Sequence, residues 1–88
     1  MKKLKILTTS TCGRCKKIKP VLQEICASRG IEYEELMVPA PAALEMARQY
    51  GATSAPFILY YDGVSEEPRE YRNIHDVQDV TNMFKEID

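Results

Sequence analysis

The stretch "TSTCGRCKKIKP", Thr9 to Pro20, decides how the rest of the chain is read, because it sets two thiols three positions apart where the hydrophobic period changes. Before it, "LKILTT" (Leu4 to Thr9) is apolar and β-branched and ends in hydroxyl residues, the pattern of a short strand running into a loop. From Gly13 onward the period lengthens. With Cys15 set to zero and 100° added per residue, Ile18, Leu22, Ile25 and Cys26 share about a quadrant, while Lys16, Lys17, Gln23 and Glu24 fall away from it. This predicts an amphipathic helix to about Ser28, stopped by Arg29 and Gly30, with Pro20 bending its interior. Cys12 then stands at the mouth of the helix and Cys15 one turn inside it.

Working outward, "IEYEELMV" (Ile31 to Val38) alternates apolar and acidic residues before turning apolar, which predicts a strand with one wet side. "PAPAALEMARQYG" has proline at its start, strong helix formers in the middle and Gly51 as a stop, so a second helix is expected from about Pro41 to Tyr50. "PFILYY" (Pro56 to Tyr61) reads as a buried strand, and Asp62-Gly63 as a hairpin turn into "EPREYRN", a charged, proline-bearing edge strand. Ile74, Val77, Val80, Phe84 and Ile87 recur at helical spacing, with Asn73 as the expected cap. The order is β-α-β-α-β-β-α. A right-handed crossover makes the first two strands parallel and the terminal hairpin is antiparallel, so the expectation is α/β, a four-stranded mixed sheet with helices on both faces.

The 88 residues suit one domain, 1–88, which buries roughly 60–65% of its unfolded surface. Hydrophobic residues at 44% and charged residues at 28% describe an ordinary folded domain. A formal charge of -1 provides no field to draw the chain onto nucleic acid, and the apolar run after "MKK" is too short for a signal sequence or a membrane span. The expectation is therefore a cytoplasmic monomer without nucleic-acid or membrane partners. Three cysteines cannot all pair within one such chain, so the thiols are read as chemistry rather than as staples.

A free thiol has a pKa of about 8.5 and attacks only as thiolate. At a helix start the first N–H groups lack intrahelical partners and the dipole is positive, so Cys12 sulfur is favoured as an anion, with Arg14, Lys16 and Lys17 adding positive charge. Cα atoms three apart in a helical turn lie roughly 5–6 Å from each other, so Cys15 can bond back to Cys12. Cys26, eleven residues after Cys15 and about 16 Å along the axis, can join neither a disulfide nor a metal with them and is read as core. Half of a zinc site and a pair of inert thiols are the competing readings of the C-x-x-C, and His75 reads as a solvated residue.

With "CGRC" (Cys12 to Cys15) after the first strand, Pro20 five residues on, and "YGATSAPFILYYDG" (Tyr50 to Gly63), the chain resembles the thioredoxin-fold redoxins of the short glutaredoxin or mini-thioredoxin type. The resemblance spans nearly the whole chain. It implies a thioredoxin-like fold, a cis peptide before Pro56, and a substrate groove formed by Ala55 and Pro56 with Thr53 and Ser54, Arg14 standing near the thiols. It implies a thiol–disulfide oxidoreductase that reduces protein disulfides, with Cys12 as nucleophile and Cys15 as resolving thiol, no cofactor and no metal. Its partners would be disulfide-containing proteins and, as electron source, a reductase or a low-molecular-weight thiol. Where glutaredoxins hold a lysine and a Gly-Gly-x-x-Asp segment for glutathione, this chain has Thr9 and "RNIHD" (Arg72 to Asp76), which favours a thioredoxin-type supply. A protein-binding module with idle thiols and a metal or iron–sulfur carrier using Cys12 are the alternatives.

Overall fold

The computed structural model describes residues 1–87, in the element order β1 (Lys3–Thr9), α1 (Gly13–Arg29), β2 (Glu32–Val38), α2 (Pro41–Tyr50), β3 (Phe57–Tyr61), β4 (Arg69–Tyr71) and α3 (Val77–Ile87). The strands form one sheet in the order β2-β1-β3-β4, with β1 parallel to β2, antiparallel to β3, and β3 antiparallel to β4. This is the expected mixed sheet.

Alternation along the strands sorts the core into two layers. Leu4 and Ile6 of β1 and Ile58 and Tyr60 of β3 pack on one face with Ile18, Leu22 and Cys26 of α1 and Val80, Met83 and Phe84 of α3. Leu7 of β1 and Phe57 and Leu59 of β3 pack on the other with Ala43 and Met46 of α2. Tyr60 and Tyr61 therefore both pack, one on each face. The lysines of β1 lie on the α2 face: Lys3 Nζ is 3.2 Å from Glu34, and Lys5 Nζ sits 5.6 Å from the Tyr61 ring centroid.

α1 continues through Pro20 as expected, with Cys15, Ile18, Leu22 and Cys26 buried along one face. Four details differ from the sequence expectation. The cap of α3 is Asp76 rather than Asn73: its Oδ1 accepts from the Asp79 N–H at 2.9 Å, and Asp79 Oδ2 accepts from the His75 N–H at 2.9 Å. Ile74 precedes the helix and is buried against the core all the same. After Asp62-Gly63 the chain does not turn directly into a strand; the Asp62 carboxylate accepts from the Val64 and Ser65 N–H groups, both at 2.8 Å, and β4 begins only at Arg69. Finally β2 has no wholly wet side, since Tyr33 reaches the α1 layer and Leu36 and Val38 the α2 layer.

Candidate active site

The C-terminal ends of β1 and β2 and the start of β3 lie at one end of the sheet, where Thr9 pairs with Val38 and Leu7 with Phe57. The loops leaving that end hold the residues singled out in the sequence, the usual location of a site in an open α/β sheet.

β1 stops at Thr9, whose carbonyl accepts the Cys12 N–H at 3.2 Å and closes the turn into α1. Cys12 has the extended backbone of an N-cap, φ -79° and ψ 101°, and its sulfur accepts the Cys15 N–H at 3.1 Å. A thiol thus occupies the position that a Ser or Asp oxygen ordinarily fills, at the positive end of the helix and with no acid in the first turn to oppose an anion there. Cys12 and Cys15 form a disulfide across a Cα separation of 5.3 Å. Their environments differ sharply: Cys12 is half-buried, whereas Cys15 is 2% exposed. A target can reach only the first sulfur.

On the far side of the end loops, the Ala55–Pro56 peptide is cis, and so is Val38–Pro39, which the sequence reading did not anticipate. Pro56 is buried, Ala55 half-buried, and Thr53 and Ser54 exposed. Thr53, Ser54 and Ala55 line a groove of about 250 Å³ together with Thr9, Leu7, Val38, Leu44, Ala47 and Ala52. Because Thr9 is also the residue whose carbonyl holds Cys12, this groove abuts the base of the redox turn. Arg14 is exposed in the first turn of α1, and among the described residues no hydrogen bond or ion pair links it to the Thr53–Pro56 segment.

Cys26 is the free cysteine, 1% exposed in the α1 layer, and burial pushes its thiol up to about 11. It is core, not site.

A polar cluster beneath α1 escaped the sequence reading. Thr8, 1% exposed, donates its hydroxyl to Glu35 Oε2 at 2.8 Å, and Lys19 Nζ lies 3.0 Å from the same oxygen. Lys19 is one turn beyond Cys15, so the cluster stands next to the redox end of the helix. The Lys19 hydrogen bond, helped by Thr8 and opposed by burial, holds the Glu35 carboxyl below the usual range. Since the native value is depressed, this contribution to stability is present above the unfolded-state value near 4.5 and is lost as pH falls through the native one. Glu35→Gln should therefore flatten the acid limb of stability below pH 4.5, measured as urea midpoints from pH 7 to pH 3. An unchanged acid limb would show that the cluster is not coupled to folding. The available signal was an acid two residues after Tyr33 on the same strand, and so on the face where Tyr33 is half-buried against the α1 layer.

Fold and site together define a thioredoxin-like domain with a disulfide-bonded C-x-x-C and a cis-proline at the same end of its sheet. Proteins similar to it in structure and in sequence are consistent with that. Thioredoxin O2 of Arabidopsis thaliana in the oxidised state superposes with a TM-score of 0.79 over 99% of this chain and 75% of that one, at 15% identity. Thioredoxin 1 of Thermosipho africanus gives 0.76 over 97% and 92%, at 19% identity. In sequence, the chain is 29% identical over 80 residues to the protein disulfide-isomerase erp38 of Neurospora crassa and 26% identical over 78 residues to the protein disulfide-isomerase tigA of Aspergillus niger. Each alignment covers 85% of this chain, but the chain spans only about a fifth of the length of these relatives, 21% and 22%. No family model matches it.

Proposed function

We propose that the chain is a thiol–disulfide oxidoreductase that reduces protein disulfides through Cys12 and Cys15. The observation that carries this is the half-buried Cys12 sulfur at the N-cap of α1, bonded to a buried Cys15 one turn deeper. In the reduced protein the helix terminus favours the Cys12 thiolate, which attacks one sulfur of a target disulfide. The target's S–S bond breaks, a Cys12–target disulfide forms, and the departing target thiolate takes a proton from water. Cys15 then loses its proton and attacks Cys12 sulfur, so that the Cys12–Cys15 bond forms and the second target thiol is released. Two electrons have passed from the C-x-x-C pair to the target.

The same account extends to the surroundings. The groove beside Ala55 is lined without a charged side chain, so it suits an uncharged stretch of protein better than the two carboxylates of glutathione, and a thioredoxin-type reductase is the favoured electron source. The net charge of -1 gives no attraction to nucleic acid, and among the described residues no helix is long and apolar enough to cross a membrane. The reductive direction fits a monomer working in the cytoplasm. The disulfide-isomerases it resembles are named for chemistry at the same type of bond.

The test is reduction of insulin disulfides with dithiothreitol as donor, alongside equilibration of Cys12–Cys15 against a redox buffer. Turnover and a reversible two-electron equilibrium are expected. A dithiol that never reoxidises, or protein that leaves insulin intact, would end the proposal. Replacing dithiothreitol by glutathione and its reductase distinguishes the electron sources, with little turnover expected.

A further inference from the structure

The segment Gly51–Pro56, which carries the groove residues Thr53, Ser54 and Ala55, has neither strand nor helix conformation, yet both of its ends are tied to one side chain. That side chain is Arg72, immediately after β4. The register of Ile58 with Tyr71 brings it beside Phe57. Arg72 Nη2 donates to the Tyr50 carbonyl at 2.8 Å, just before the segment, and its guanidinium lies 4.7 Å from the ring centroid of Phe57, just after it. The Tyr50 and Phe57 rings are themselves 6.2 Å apart and tilted by 39°. Glu70 Oε1 accepts from the same Nη2 at 2.6 Å and steadies the group from its own strand.

Resting on the function proposed above, we infer that Arg72 is a positioning residue for target binding: by joining the two ends of Gly51–Pro56 it holds Thr53, Ser54 and Ala55 ready to receive the target's main chain. The chemistry of the guanidinium suits the task. Its in-plane N–H groups donate while its face rests on an aromatic ring, a combination that a lysine ammonium cannot reproduce. The Tyr50 carbonyl belongs to the last turn of α2, where carbonyls lack intrahelical donors and the dipole favours a cation. Arg72 is itself exposed, and it lines a hollow of about 220 Å³ with Thr53, Ser54 and Pro56, so the tie lies at the edge of the substrate surface and outside the core. A segment ordered in advance avoids an ordering cost on each encounter, so its loosening weakens binding and leaves the sulfur chemistry alone.

The experiment compares the wild-type protein with Arg72→Gln and Arg72→Lys by amide hydrogen exchange and by insulin reduction. In Arg72→Gln, exchange at Thr53, Ser54 and Ala55 should accelerate about tenfold while amides of Leu4, Ile6 and Ile58 are unchanged, with Arg72→Lys in between. KM for insulin should rise about five- to twentyfold with kcat within about twofold and the Cys12 titration unmoved. Unchanged exchange at Thr53–Ala55, equal acceleration in the sheet, or a loss confined to kcat would each overturn the inference. Exchange reads the tie without any turnover, so failure of the wild-type protein to reduce insulin would count against the proposed activity and leave the tie to be decided by the exchange result.

Discussion

Replacing Cys12 by serine should reduce insulin-disulfide reduction by about a thousandfold or more, because the attacking sulfur is lost and no other thiol can stand in for it. Cys15 is 2% exposed and Cys26 1%, so neither is open to a target. Cys15→Ser should behave differently. Cys12 can still attack, but nothing displaces the target from it, and a mixed disulfide should accumulate at one target per chain, visible by intact mass and cleared by dithiothreitol. Turnover by the Cys12→Ser protein at more than a few per cent of the wild-type rate, or failure of Cys15→Ser to trap a target, would remove the assigned roles. Titration of the reduced protein by thiolate absorbance adds a third arm: with its sulfur accepting the Cys15 N–H at the helix cap, Cys12 should ionise below about 8.5, the value of a free thiol.

Phe57→Ala should be the most damaging core substitution for the site, at about 3–5 kcal/mol. The ring is 1% exposed in the layer between the sheet and α2. Against the roughly 5–15 kcal/mol that holds a typical domain together, a loss of this size leaves a protein near its unfolding threshold at room temperature. The measurement is urea unfolding of the oxidised protein, read as a midpoint shift at unchanged slope. A cost below about 1 kcal/mol would mean that Leu7, Met46 and Tyr50 close over the vacancy and that this layer is not close-packed. The same ring supports Tyr50 and Arg72, so Phe57→Leu, which retains most of the volume, should keep the fold while loosening the Gly51–Pro56 segment.

Much of the architecture was legible because it is written in local signals. The α1 face is spaced by Cys15, Ile18, Leu22 and Cys26, and the run from Phe57 to Tyr60 is apolar because helices cover both sides of β3. The thiol pair was legible for the same reason: a helix N-cap and a residue three positions on are near neighbours whatever the rest of the chain does. The start of the last helix was misread: Asn73 was expected as its cap, whereas Asp76 takes that place, Ile74 is buried ahead of the first turn and the helix begins at Val77.

The sequence alone determined the redox pair, the strand that leads into it and the helix that caps it, since these depend on residues within a turn or two of one another. The tertiary structure decided the rest of the site. It set the Glu35 carboxyl on Thr8, 27 residues away, and the Arg72 guanidinium on Tyr50, 22 residues away. Such contacts follow from strand order and register, and those are settled by how the two apolar layers fill space together rather than by any segment's own preference.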